Sequence, residues 1–350
     1  QSTLWRQNQL DWGVEFRSDL LDHDDVLRPR NSVGRTERRT YSAFFSGRQG
    51  ADISRMLLFK RVSVDLALRY DRATTMPEDT SAILPWESSR HEHQIEHWSP
   101  MMGVTLSRGD KLRVIVRGSY GKSFRLPSIN ALFWKGDARS KGNPDLRPEL
   151  ATHTEGGFEI ETHAKWCTLS GGVTFFHNSV TDQVVWTQGY QSTWKPVNLG
   201  SARITGHEDF ITTNLFDGLL RITYQNSITN ALNKVTGHNS YDKYLTYTPH
   251  YVTTLTMRVA WRALFASYSI RHVDKRYALE NNEKWYEPYR LDDITAGLQV
   301  SLSKKCRVRL DWRLLNVRNE DYVLITHHPM PGREYSIGLK LSYGLEEVNM

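Results

Sequence analysis

The sequence predicts an all-β chain, a transmembrane antiparallel β-barrel with about 14 strands. Three observations favour this fold class: alternating apolar and polar residues recur in many segments, short turns alternate with long polar links, and no apolar run could form a membrane helix. Such a helix needs roughly 18 consecutive apolar residues. The densest apolar stretches, such as Met56–Phe59 and Leu132–Trp134, stop within a few positions.

The composition alone is that of an ordinary soluble protein. The 350 residues are 39% hydrophobic and 24% charged, with a formal net charge of +6 and a mean hydropathy of -0.55. Aromatic residues make up 11% of the chain, and long runs of helix-forming residues are missing, so the composition favours strand. Cys167 and Cys306 are too few for a disulfide framework and lack the paired spacing of a structural zinc site.

Strict alternation of apolar and polar residues marks strands with two unlike faces. The segment at residues 61–71 is one example, and its apolar face consists of Val62, Val64, Leu66, Leu68 and Tyr70. The pattern recurs at residues 111–120, 254–262, 294–303, 307–314 and 335–343. These runs are longer than the usual strand of about 5–6 residues and suit the 9–11 or so residues that cross a bilayer at a tilt.

The connections also alternate. Short turns are expected near residues 49–52, 107–110, 163–165, 217–218, 262–263 and 303–305. Long polar links are expected at about residues 19–38, 73–91, 122–149, 178–195, 231–249, 274–288 and 318–332. Short turns on one side and long links on the other are typical of bacterial outer-membrane barrels. Aromatic residues at the predicted strand ends suit an interfacial girdle: Trp12, Tyr41, Trp98, Trp166, Trp261, Tyr268 and Trp312.

A long motif occupies the third long link and its flanks. It reads Ser123-Phe-Arg-Leu-Pro127, then Gly142-Asn-Pro-Asp-Leu-Arg-Pro-Glu149, then Glu155-Gly-Gly157. Asn198–Glu208, Trp312–Tyr322 and Pro331–Tyr335 follow in order. Together these segments resemble the TonB-dependent outer-membrane receptors, whose barrels carry such motifs around a strand, an extracellular loop and the next strand. The motif positions matched in the long link are Phe124, Arg125, Pro127, Asn143, Pro144, Leu146 and Glu149.

The resemblance implies energised uptake of a scarce nutrient chelate, a ferric siderophore or cobalamin before haem, in the Gram-negative outer membrane. Its implied partners are the chelate, the outer-membrane lipid, and TonB with its inner-membrane complex, which act through a plug domain. No resident cofactor and no enzymatic activity are implied. The family barrel has about 22 strands, so we expect residues 1–345 to be its C-terminal part, without the plug, and residues 346–350 to be a short tail.

Aromatic residues on the long links are the candidate ligand contacts, because exposed aromatic side chains on loops suit chelates and macrocycles. They are Phe133, Trp134, Trp186, Tyr190, Trp194, Trp285 and Tyr286. Packing of these side chains within the loops is the alternative. Haem receptors of the family usually place a histidine between the two halves of the motif, and residues 128–142 contain none.

Other histidines remain open as metal or haem contacts or as polar loop residues: His91, His93, His97, His327 and His328. His93-x-x-Glu96-His97 matches an inverted zincin motif, but that chemistry needs a helix and an alternating strand follows directly. Arginines on the polar faces are spread along many strands, which favours a lumen lining over a nucleic-acid patch. A passive porin-like channel and a soluble all-β binding protein remain the alternative functions.

Overall fold

A computed structural model describes residues 8–23, 34–53, 59–77, 92–109, 111–134, 140–188, 194–303, 306–325 and 328–344. Within these ranges the regular structure is β-strand except for one short helix. None of the helical structure in these ranges is long and apolar enough to cross a membrane.

Fourteen strands form one antiparallel sheet, in which neighbours in the chain are neighbours in space. They are β1 (Asn8–His23), β2 (Gly34–Asp52), β3 (Arg61–Pro77), β4 (His93–Arg108), β5 (Leu112–Arg125), β6 (Glu149–Ala164), β7 (Cys167–Gln188), β8 (Trp194–Leu215), β9 (Leu220–Asn233), β10 (Tyr251–Trp261), β11 (Leu264–Val273), β14 (Tyr289–Ser303), β15 (Cys306–Leu315) and β18 (Glu334–Tyr343). The predicted antiparallel barrel wall of 14 strands is therefore confirmed.

Smaller elements lie between these strands at one end of the sheet, here called the loop end. They are helix α1 (Ile129–Phe133), the hairpin of β12 (Arg276–Tyr277) and β13 (Trp285–Tyr286), and the hairpin of β16 (Val323–Ile325) and β17 (His328–Pro329). Every one of them falls in a predicted long link. The long links therefore carry ordered structure of their own.

The two faces of the sheet differ as the alternation predicts. On β3, Leu66 and Leu68 are exposed on one face, here called the apolar face, although both are large and hydrophobic. On the opposite, polar face, the Arg69 guanidinium pairs with Asp71 at 2.9 Å and with Glu15 of β1 at 3.0 Å. Apolar side chains outward and charged side chains inward are the arrangement of a barrel that spans lipid.

The predicted girdle residues are mostly exposed, as contact with lipid requires. The exposed ones are Trp12, Tyr41, Trp98, Trp166, Trp261 and Trp312. Tyr268 differs because its hydroxyl donates a hydrogen bond to Asp292 Oδ2 at 2.7 Å. Cys167 and Cys306 are both free thiols.

Most predicted turns coincide with strand boundaries, and two predicted connections are wrong. The turn expected at residues 49–52 is strand: β2 continues to Asp52, which pairs with Arg61 at the start of β3. Its sequence Gln-Gly-Ala-Asp is typical of turns, but backbone pairing with β3 overrides that local preference. The link expected at residues 178–195 is also largely strand, because β7 and β8 have 22 residues each and pair as far as Gln188 and Trp194.

Candidate functional site

The described parts of the motif link, residues 126–134 and 140–148, fold into a compact loop around α1. Ser128 caps the helix, since its Oγ accepts a hydrogen bond from Ala131 N at 3.1 Å. The side chains of Ala131, Leu132, Phe133 and Leu146 form a buried hydrophobic cluster, and Leu132 is fully buried. Residues 135–139 lie outside the described ranges. A barrel wall has no core of its own, so this cluster is a small core built by a loop.

This loop lies against the polar face of β1 to β4. Leu21 of β1 packs on the hydrophobic cluster. Arg38 of β2 donates hydrogen bonds to Pro127 O at 2.6 Å and to Thr75 Oγ1 at 2.8 Å, and His93 Nε2 of β4 lies 2.6 Å from Leu146 O. Residues of these strands at the loop end are consequently buried: Thr36, Ala73, Thr75 and Ile95. The motif loop therefore covers part of the inner face of the wall.

The motif residues also tie the loop to the β7–β8 hairpin. Asn143 Nδ2 donates to Pro196 O at 2.9 Å. Glu149 is buried, and its Oε1 accepts hydrogen bonds from Arg125 Nη2 at 2.6 Å and from Val184 N at 2.9 Å. Asn198 completes the connection, because its Nδ2 donates to Arg147 O at 2.9 Å. The motif thus fixes the geometry of the loop end.

Gly142 is needed where the loop returns past the helix. A Cβ there would lie 2.7 Å from Trp134 N and 2.8 Å from Leu132 O, both backbone atoms that cannot move aside. Gly142 N donates to Trp134 O at 2.8 Å. The glycine of the motif therefore permits a close approach of two backbone segments.

The structure divides the predicted ligand contacts into separate groups. Phe133 is 9% exposed within the hydrophobic cluster, and Trp134 packs against it while its Nε1 donates to Ser140 Oγ. Packing within the loop, the alternative named above, therefore describes these two side chains. Trp186 and Trp194 are exposed on the β7–β8 hairpin. Tyr190 lies outside the described residues.

Trp285 and Tyr286 belong to a second group, in which loop 234–250 meets loop 274–288. Tyr244 stacks on Tyr277 with ring centroids 5.8 Å apart, and Tyr247 stacks on Tyr286 at 6.1 Å. We call the two stacked pairs of these loops, together with neighbouring Trp285, the aromatic crown; its members are Tyr244, Tyr247, Tyr277, Trp285 and Tyr286. Trp285 and Tyr247 are exposed.

Polar bonds hold the two crown loops together. Asn282 accepts a hydrogen bond from Tyr244 N at 2.8 Å through Oδ1 and donates one to Tyr244 O at 2.9 Å through Nδ2. Tyr247 N donates to Tyr277 O at 2.8 Å. The sequence prediction included Trp285 and Tyr286 but missed the tyrosines of loop 234–250. The regular spacing of those missed tyrosines along the sequence was the signal that could have identified them.

A third aromatic contact extends the crown towards β15–β18. Tyr289 stacks on Tyr322 with centroids 4.5 Å apart. Burial raises the pKa of the Tyr322 hydroxyl above its usual value, with a smaller contribution from neighbouring Tyr289. Arg276 connects the same segments by donating to Val323 O at 2.8 Å.

The remaining candidate residues are histidines, and two of them contact other residues of the loop end. His93 contacts the motif loop, as described above, and the His97 ring lies 4.6 Å from the ring of Phe124. Both belong to β4, so the inverted zincin string is a strand and lacks the helix that its chemistry needs. His328 is exposed in β17. His91 and His327 lie outside the described residues.

Ion pairs line the polar face below the loops. Besides the Arg69 pairs, they include Arg48 with Asp65, Arg117 with Glu159, and Asp311 with both Arg309 and Arg313. Most of these side chains keep some exposure. The polar face is therefore an accessible, charged surface suited to a polar neighbour.

These features define the chain as the wall of a large transmembrane β-barrel with a loop folded over its inner face. The family model described as TonB dependent receptor-like, beta-barrel matches residues 1–319. The chain therefore belongs to the TonB-dependent receptor-like β-barrel family.

Particular relatives agree with this assignment. The chain is 29% identical over 108 residues to the vitamin B12 transporter BtuB of Vibrio vulnificus (strain YJ016), covering 31% of this chain and 16% of that protein. Its structure is similar to the copper transporter OprC, with a TM-score of 0.72 and 15% identity over 97% of this chain and 54% of the other. It is also similar to the ferric-catecholate import receptor Fiu from K12 E. coli, with a TM-score of 0.62 and 16% identity over 97% and 52%. The chain thus spans about half the length of these two solved structures.

Proposed function

We propose that this chain is the barrel part of an outer-membrane receptor that takes up a scarce nutrient chelate with energy delivered through TonB. The aromatic crown is the single observation that best supports recognition of a chelate. In the crown, the side chains of Trp285 and Tyr247 are exposed to solvent. The two loops that carry them are joined by the hydrogen bonds of Asn282 to the Tyr244 backbone. Exposed rings on ordered loops lose little conformational entropy when a ligand binds.

The polar face supports a plug partner. Arg117 with Glu159 and Arg69 with Glu15 present both signs of charge on that face, as a polar domain packed inside a barrel would need. TonB and its inner-membrane complex would act on the whole receptor through that plug. The apolar face would contact outer-membrane lipid, and no nucleic acid partner is proposed.

Ferric siderophore and cobalamin remain the proposed chelates, ahead of haem. Axial ligation of haem needs an available imidazole. In the described part of the loop end, His93 Nε2 lies 2.6 Å from Leu146 O, and the His97 ring is buried against the tilted ring of Phe124. Of the predicted histidines, these two therefore lie within the packed loop end.

Uptake by cells tests this function. The complete gene would be expressed in a Gram-negative host lacking its own siderophore and cobalamin receptors, with and without TonB. We expect accumulation of iron or cobalamin only when TonB is present. Permeation of small solutes independent of TonB would instead indicate the porin-like channel. Recovery of the protein from the aqueous phase without detergent would indicate the soluble binding protein.

A further inference from the structure

Two adjacent cations beside the aromatic crown have aromatic partners and, among the described residues, no acidic one. The Lys275 ammonium lies 5.4 Å from the ring centroid of Tyr277 and 5.6 Å from that of Trp285. The Arg276 guanidinium lies 5.6 Å from Tyr286 and 5.0 Å from Tyr289. Neither side chain forms an ion pair with a carboxylate in the described part of the chain.

Arg276 is the more unusual of the two because it is 3% exposed. One of its nitrogens donates to Val323 O, but Nε has no hydrogen-bond partner among the described residues. Burial of a charge without a counter-charge is costly, and aromatic faces offset only part of that cost. A negative charge bound nearby would offset more of it.

Lys275 provides the accessible part of this positive charge. Its side chain is exposed, and so is the indole of Trp285 beside it. The indole is oriented by a hydrogen bond from Nε1 to Glu287 Oε1 at 3.1 Å. A ligand at this place would meet an ammonium group and a flat aromatic face together, and the buried charge of Arg276 follows Lys275 directly in the chain.

We propose that the aromatic crown is an anion site centred on Lys275 and Trp285, and that its ligand is an anionic aromatic chelate of the ferric catecholate class. Catecholate oxygens supply the negative charge for Lys275, and the catechol rings supply the faces that stack on Trp285. A neutral ferric hydroxamate offers neither feature. This inference rests on the proposed function, since it names the class of chelate.

Binding to the whole chain in detergent tests the proposal. A ferric tris-catecholate, a neutral ferric trihydroxamate and cyanocobalamin would each be titrated while tryptophan fluorescence is followed. The variants are Lys275→Gln, Lys275→Arg and Trp285→Leu. The matched control is Lys243→Gln, which removes the same charge from an exposed position on the neighbouring crown loop. Circular dichroism of each variant would establish that the sheet is intact.

We expect the catecholate to bind and the hydroxamate and cobalamin to bind at least tenfold more weakly. Lys275→Gln and Trp285→Leu should each weaken catecholate binding by about tenfold, a change typical of a lost cation–π or ionic contact. Lys275→Arg and Lys243→Gln should stay within about threefold of the unsubstituted chain, because both keep the charge at position 275.

Two results would overturn the inference and leave the proposed function standing. One is binding of cobalamin or hydroxamate in preference to catecholate. The other is catecholate binding that Lys275→Gln and Trp285→Leu leave unchanged. Failure of all three chelates to bind, together with no TonB-dependent uptake by the cells described above, would contradict both proposals.

Discussion

The motif loop and the aromatic crown occupy the same end of the sheet but are built in opposite ways. The motif loop encloses Leu132 completely and uses buried side chains such as Asn143 and Glu149 to bond backbone atoms of other elements. The crown stacks half-exposed tyrosines, and among the described residues Lys275 has aromatic contacts but no ion pair with a carboxylate. The family motif therefore maintains the shape of the loop end, whereas the ligand site that we propose lies in loops that carry no family motif.

Among these substitutions, removal of a core side chain from the motif loop should have the largest effect on loop stability. Leu132→Ala should lower the free energy of opening the motif loop by about 2–5 kcal/mol, because a fully buried leucine leaves a cavity. Hydrogen exchange at the Asn143 amide, which donates to Ala131 O, measures that opening. Leu279→Ala in the crown loop is the control, since Leu279 is exposed. Equal exchange in the two variants would contradict the assignment of a core to the motif loop.

A side chain added where two backbone segments of the motif loop meet should have the next largest effect on loop stability. Gly142→Ala places a Cβ against Trp134 N and Leu132 O, so we expect a loss of about 1–3 kcal/mol in loop stability. Tryptic cleavage after Lys141 reports the loosened loop. Gly156→Ala is the matched control, because no atom lies within 4 Å of its added Cβ. Faster cleavage in the control than in Gly142→Ala would refute this explanation of the glycine.

The ion pair of Arg125 and Glu149 should respond unequally to truncation of its two members. Glu149→Ala leaves the Val184 amide without its acceptor and should cost about 1–3 kcal/mol. Arg125→Ala should cost about 0–1 kcal/mol, because the arginine side chain is 72% exposed. The urea dependence of hydrogen exchange at the Asn143 amide, whose acceptor Ala131 O neither variant removes, compares the two. A larger loss for Arg125→Ala would show that the charge, and not the buried hydrogen bond, carries the stability.

The crown should show the smallest structural effect. Asn282→Ala removes the two hydrogen bonds to Tyr244 and should cost about 1 kcal/mol, visible as roughly fivefold faster exchange at the Tyr244 amide. Asn281→Ala is the control, since its Oδ1 accepts a bond from Glu283 N within the same loop. If both variants speed exchange equally, Asn282 is not the residue that joins the two loops.

Strand pattern and order could be predicted from the sequence because alternation records which residues face lipid. Leu66 and Leu68 are exposed on the predicted face, and the 14 strands follow chain order. The turn at residues 49–52 was wrong since its turn-like residues pair with β3. Such pairing depends on a partner strand and cannot be judged from local sequence.

The site was harder to predict because its contacts join distant segments. The motif positions Asn143 and Glu149 were identified, but their partners Pro196 and Val184 belong to a later hairpin. Likewise, Tyr244 meets Tyr277 only because β10 and β11 fold back and bring loops 234–250 and 274–288 together. Residue type indicated Trp285 and Tyr286, whereas the set that surrounds them required the fold.

Hydrogen–deuterium exchange of the whole chain with and without a ferric tris-catecholate would compare the two loop regions in one measurement. Slower exchange at the amides of loops 234–250 and 274–288, with no change at Leu132 and Asn143, is the predicted result. Protection confined to the motif loop, with the crown amides unchanged, would contradict the division of roles between the two regions.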